Sequence, residues 1–234
     1  MSHTVAFFFF FLCDEALFAA QTQSLTAEGY RTYVADFSAA HHESFDAMVL
    51  DVLADLPDRF SLVGLSMGGY AALKVIELAA GRVERLALLD TNARADAPEA
   101  AVRRRGLLEL AAKGDFKGVT PRLLPLYIHE SRLQDEALTS AITGMAERLG
   151  PDVFRRQQTA ILDRVDQRPT LAAYDAPVLA LCGRQDQVTP LFLSEEIADI
   201  APQGELRVIE DCGHLSTMEH PEAVTEALRA WLPK

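Results

Sequence analysis

The sequence predicts an α/β protein: a mainly parallel, doubly wound sheet of about six strands, with a helical segment inserted ahead of the fifth. Three observations predict it. Short apolar runs alternate with helical patterns in the first 90 and the last 60 or so residues, as βα units feeding a parallel sheet do. One run, Phe60-Ser61-Leu62-Val63, passes through Gly64-Leu65-Ser66-Met67-Gly68-Gly69 straight into a helical stretch, Tyr70 to Ala79. Between residues 91 and 175 the alternation stops, and helical patterns are punctuated by Pro98, Pro121, Pro125, Pro151 and Pro169.

The first strand is expected over 4–11. Its five consecutive phenylalanines, Phe7 to Phe11, suit a strand covered on both faces. A signal peptide is the poorer reading, because no basic region precedes the run and Asp14 and Glu15 follow it at once. Further strands are expected at 31–36, 60–65, 84–90, 177–183 and 205–210. Helices are expected at 15–28, 43–56, 67–80, 190–201 and 220–231. His41 and His42, after the second strand, read as a surface loop, with a place at the edge of the pocket as the alternative. The core is thus residues 1–90 and 176–234. Within the insertion, 91–175, helices are expected at 99–113, 132–149 and 152–163. Active groups should gather at the carboxyl ends of the strands.

Ser66 occupies the place of a nucleophile. A strand running through Gly-x-Ser-x-Gly into a helix forces the serine into a strained turn, and small residues are needed on either side. The serine then stands at a helix N-terminus, where the Met67 amide points at developing negative charge. With this elbow the acid and then the histidine follow in the chain. Of six histidines only His214 and His220 lie late enough. His214 follows the sixth strand on a loop loosened by Gly213, whereas His220 precedes Pro221 at the start of the last helix. For the acid, Asp186 lies on the loop after the fifth strand, closed by Thr189 and Pro190. Asp90, at the end of the fourth strand, is the alternative.

Composition narrows the function. A chain of 234 residues buries one large core, and 49% hydrophobic residues are ordinary for a globular protein. The formal net charge of −12 disfavours nucleic acid and anionic membrane as partners. Cys13, Cys182 and Cys212 lack zinc-type spacing and read as small buried hydrophobes, consistent with a cytoplasmic location. No ligand cluster is visible, so no metal or organic cofactor is expected. Arg103-Arg104-Arg105 in the insertion reads first as a solvated face, with attraction of a carboxylate substrate as the alternative.

The elbow at 64–69, the Gly-x-x-Asp-x-x-Thr-Pro segment at 183–190, Cys212-Gly213-His214 and Glu219-His220-Pro221-Glu222 together resemble the α/β-hydrolases, over nearly the whole chain. The resemblance implies a Ser66–His214–Asp186 triad, a lid formed by the insertion, and a second oxyanion donor after the first strand. That donor maps to Phe11. A departure accompanies it: Phe10 falls where relatives carry a glycine, and a phenylalanine does not readily take glycine's dihedrals. The expected activity is hydrolysis of a small carboxylic ester or lactone through an acyl-enzyme on Ser66. A carbon–carbon bond hydrolase, a menaquinone-pathway-type lyase and a non-catalytic binding protein of the same fold are the alternatives. The sequence leaves the natural substrate and the oligomeric state open.

Overall fold

The computed structural model describes residues 2–114 and 116–233. Six strands form one sheet: β1 (Thr4–Phe8), β2 (Arg31–Val34), β3 (Phe60–Leu65), β4 (Val83–Leu89), β5 (Val178–Gly183) and β6 (Gly204–Ile209). Their order is β2-β1-β3-β4-β5-β6, and every neighbouring pair is parallel. The chain moves outward from β1 to β2, then returns and proceeds from β3 to β6. The direction therefore reverses between β1 and β3, and the crevice beyond their carboxyl ends is where such sheets bind ligands. β1, β3 and β5 are buried at every residue, which explains their unbroken apolar runs; the edge strands β2 and β6 are partly exposed.

Helices cover both faces. The core contributes α1 (Ala19–Ala27), α2 (Phe45–Asp55) and α3 (Met67–Ala79). Between β4 and β5 come α4 (Pro98–Ala112), α5 (Leu124–Tyr127), α6 (Glu136–Leu162) and α7 (Arg168–Ala172). After β5 follow α8 (Phe192–Ile200), α9 (Ser216–Glu219) and α10 (Pro221–Trp231). α6 breaks at Gly150, whose φ of 71° sits just before Pro151. This is the break the sequence places between 149 and 152. α4 buries none of its residues and exposes Val102, Leu107 and Leu110, whereas α6 buries Phe154, Gln157 and Ile161.

One expected element is shorter than its sequence suggests. β1 ends at Phe8, and the strand expected to reach Phe11 gives way to a turn in which Cys13 N–H donates to Phe10 O at 3.1 Å. Phe9 and Phe10 stay buried, but against tertiary partners beyond the sheet: Phe37 for the first, Tyr127 and the His214 ring for the second. Apolar content alone does not separate these two ways of burying a phenylalanine. Cys13, Cys182 and Cys212 are free and buried, as expected. Among the described residues, no helix is long and apolar enough to cross a membrane.

Candidate active site

The elbow is built by exclusion of side chains. Ser66 has φ 53° and ψ −111°, a strained conformation at the junction of β3 and α3. A Cβ on Gly64 would lie 2.4 Å from the Gly68 carbonyl oxygen, and one on Gly68 would lie 1.9 Å from the Phe8 carbonyl oxygen. These are backbone collisions, so both positions require glycine. The turn is clamped from β4: Ser66 N–H donates to Leu89 O at 2.9 Å, and the Thr91 hydroxyl donates to Ser66 O at 2.7 Å.

The side chains expected from sequence meet in one line. Ser66 Oγ lies 2.9 Å from His214 Nε2, and His214 Nδ1 lies 2.7 Å from Asp186 Oδ2. All three are buried. Asp186 is fixed by the N–H groups of Val188 and Thr189, at 2.8 and 2.9 Å on Oδ1, and by the Thr189 hydroxyl at 2.6 Å on Oδ2. Burial pushes the Asp186 carboxyl up, but the charge and hydrogen bond of His214, with the bonds from Thr189, outweigh it and hold the group below its usual value. Burial pulls His214 down; the charge and hydrogen bond of Asp186, reinforced by Asp90 and Glu219, leave it above its usual value. The ordering favours a carboxylate beside an imidazole that readily accepts a proton.

Asp90 is not in that line. Its Oδ1 accepts the Gly183 N–H at 2.9 Å and its Oδ2 the Ser216 hydroxyl at 2.5 Å. Burial first, and the Asp186 charge second, push it up to about 8. It ties β4 to β5 and to α9. His220 also stands apart, its ring 2.9 Å from Asp211 O.

The turn after β1 differs from expectation in a way that matters for chemistry. Among the described residues, the non-glycine residues with positive φ are Leu12, Ser66, Asp90 and Asp211; Phe10 is not one of them. The left-handed residue of this turn is Leu12, with φ 54°. Its N–H donates to Oε1 of the buried Gln157, on α6, at 2.9 Å. Among the described residues the Phe11 N–H meets no acceptor. The Met67 N–H, in the first turn of α3, has no preceding helical carbonyl to bond.

A cavity of about 190 Å³ opens on Ser66 and Met67. Its walls are mostly apolar, with Phe10, Phe11, Leu123, Phe154 and Ile161 prominent, and with Arg104 and Gln158 as polar members. Much of this lining, from Arg104 to Ile161, comes from the insertion. Glu219 joins the insertion to the histidine loop: its carboxylate accepts the N–H of His129 at 2.6 Å and of Gly213 at 2.9 Å. His214 N–H and Leu215 N–H both donate to Tyr127 O. Sequence reasoning missed Gln157 and Glu219 as supports of the site. Glu219 lay in the segment that carried the family resemblance; nothing local marked Gln157.

A metal-binding arrangement was not expected, yet His41, His42 and Asp51 come together. Both imidazoles contact Asp51 Oδ2, at 2.5 and 3.0 Å, and the three ligand atoms lie within 4.8 Å of one another. The cluster joins the β2–α2 connection to α2 and contributes nothing to the line through Ser66.

A parallel sheet that holds a serine, an imidazole and a carboxylate in hydrogen-bonded sequence at its carboxyl edge defines the class of hydrolases built on a nucleophile elbow. The chain belongs to the alpha/beta hydrolase family, which it matches over residues 6–227. It is 30% identical over 189 residues to a pimeloyl-[acyl-carrier protein] methyl ester esterase of Nitrosomonas europaea, covering 77% of this chain and 74% of that one. It is 31% identical over 214 residues to a Mycobacterium tuberculosis protein provisionally named non-heme bromoperoxidase BpoC, covering 86% and 75%. Among solved structures, a thermophilic esterase from Thermogutta terrifontis superposes with a TM-score of 0.86 at 29% identity, over 99% of this chain and 89% of that one.

Proposed function

We propose that this protein is a serine hydrolase that cleaves a small carboxylic ester or lactone through an acyl-enzyme on Ser66. The observation that carries the reading is the buried line Ser66 Oγ–His214 Nε2–His214 Nδ1–Asp186, at 2.9 and 2.7 Å. His214 takes the serine proton as Oγ attacks the carbonyl carbon, then gives it to the leaving alkoxide. Asp186 holds the imidazole in the tautomer that presents Nε2 as acceptor and stabilises the charged ring. Water, deprotonated by the same imidazole, releases the acid and frees Ser66. The Met67 N–H and the Phe11 N–H bind the oxyanion. The second assignment is supported by the commitment of the neighbouring Leu12 N–H to Gln157. The reaction needs protein groups alone.

Residues 91–175 act as a lid, since they close the cavity over Ser66. A cytoplasmic location suits three free, buried thiols. The non-catalytic reading rested on Phe10, and it weakens because Phe10 is not the strained residue of its turn. A carbon–carbon bond hydrolase or lyase on the same line keeps one supporting observation, the cationic Arg104 in the serine cavity. A fluorophosphonate probe with chromogenic esters of graded acyl length tests the reading. Stoichiometric labelling of Ser66 and ester turnover are expected, both lost in Ser66→Ala. Failure to label would overturn it.

A further inference from the structure

The protein carries a formal net charge of −12, yet the groove beside the serine cavity has the opposite sign. This groove, of about 550 Å³, is walled by Arg94, Arg103, Arg104 and Arg164, and Asp96 is the carboxylate on its lining among the described residues. It shares Tyr70, Arg104, Tyr127 and Val188 with the cavity around Ser66, so the two spaces are immediate neighbours. The arginines outnumber their partners. Arg104 and Arg164 both turn to the one buried carboxylate of Asp96, at 2.9 and 2.8 Å. Arg94 forks onto Glu196 with two bonds of 2.8 Å. Arg103 lies exposed on α4. Four guanidinium groups are thus set against two carboxylates. The arrangement is also held in place: Arg164 is nearly buried, with its guanidinium 4.2 Å from the centre of the Tyr70 ring, and Arg104 bonds Gln158 as well as Asp96.

We infer that this groove binds an anionic group on the substrate, so that the natural ester or lactone bears a carboxylate or a phosphate on one arm. The inference rests on the ester-hydrolase reading and names its substrate class. Guanidinium forks match the oxygens of carboxylate and phosphate, and a surplus of them in a walled groove concentrates an otherwise repelled anion. The apolar walls between the groove and Ser66, among them Phe11, Val119 and Leu123, take the carbon chain that separates the anion from the reacting carbonyl. In an acidic protein this locally basic path also sets the orientation in which the ester presents itself.

Matched substrate pairs test the inference on the intact protein: monomethyl adipate against methyl hexanoate, and 1-butyryl-glycerol-3-phosphate against monobutyrin. The anionic member of at least one pair is expected to show kcat/KM about tenfold higher or more, an advantage that shrinks as salt rises toward molar strength. The pair that shows it tells carboxylate from phosphate. Arg103→Met and Arg94→Met are expected to reduce the ratio of anionic to neutral kcat/KM. A ratio near one or below in the wild type, or a ratio unmoved by both substitutions, would overturn the inference while leaving the hydrolase reading standing. Should no ester turn over, calorimetric titration with adipate and with inorganic phosphate decides independently. Binding that weakens in Arg103→Met supports the anion groove even if the hydrolase reading fails, and absence of binding removes it.

Discussion

At the end of β3 the backbone reverses at Ser66 with φ 53°, and at the end of β1 it reverses at Leu12 with φ 54°. Each turn lines the same cavity, and each carries a residue that is strained there. The two are held by different means. Around Ser66, glycines at 64 and 68 sit where any side chain would strike backbone, and the clamp comes from the adjacent strand β4. Around Leu12 there is no glycine; the turn is braced by Gln157, 145 residues further along the chain. The first turn is written in six consecutive residues. The second is only as firm as the insertion that supplies its brace. Strain at a functional turn is thus offset locally in one case and by long-range tertiary contact in the other.

The comparison can be broken most severely at the nucleophile. Ser66→Ala is expected to lower kcat by about 10⁶-fold with the thermal midpoint preserved, since the elbow's glycines and clamp remain. Asp186→Asn should cost about 10⁴-fold, because the amide favours the wrong imidazole tautomer. Asp90→Asn should cost far less, because Asp90 bonds Gly183 and Ser216 and not the imidazole. Steady-state kinetics on the two variants checks the order, and a reversed order would move the acid to β4.

The distant brace is tested at Gln157. Gln157→Leu removes the acceptor of the Leu12 N–H and is expected to lower kcat by about 10²-fold, the scale of one lost oxyanion donor, with little change in KM. Gln157→Glu, which retains an oxygen at that place, should recover part of the loss. Equal losses in the two variants would mean that Gln157 matters only for packing. Phe10→Gly sharpens the same point. Phe10 is buried against Tyr127 and His214, so the change should destabilise the protein by about 3–5 kcal/mol in chemical denaturation and should not raise turnover. Faster turnover would restore the view that a glycine belongs there.

The smallest expected effect is on pH. The proposed mechanism needs neutral His214, and the imidazole lies above its usual 6.5. The acid limb of kcat/KM should therefore have its midpoint above 6.5, with activity rising as pH increases through it. Asp186→Asn, by removing the main raising influence, should move that midpoint downward. A limb fixed in position would show that another group titrates.

What the sequence revealed follows the same division. The alternation of strands and helices, Ser66, His214 and Asp186 were legible because each depends on neighbours within a few positions: flanking glycines, a preceding strand, a following Thr-Pro. The sequence favours Asp186 over Asp90 for its loop closed by Thr189 and Pro190, but both follow a strand at the same edge, and it is the sheet's geometry that turns one to the imidazole and the other to Gly183 and Ser216. The end of β1 was misread because five identical apolar residues carry no periodicity, and because the burial of Phe9 and Phe10 comes from Phe37, Tyr127 and His214. The gathering of His41 and His42 with Asp51 was equally invisible, although the span is short, because it depends on how the loop folds back on α2.

The Glu219 carboxylate grips both the His129 amide and the Gly213 amide, while Tyr127 O receives the amides of His214 and Leu215. If the insertion works as the proposed lid, its α5 end would be the pivot, because lifting it would dislodge the loop that carries His214. Opening for substrate and product would then fall to the other end, where α4 buries none of its residues and Leu107 lines the cavity. Such a lid would separate two timescales: a stationary frame that keeps proton transfer aligned, and a loosely seated gate whose motion could change without resetting the chemistry.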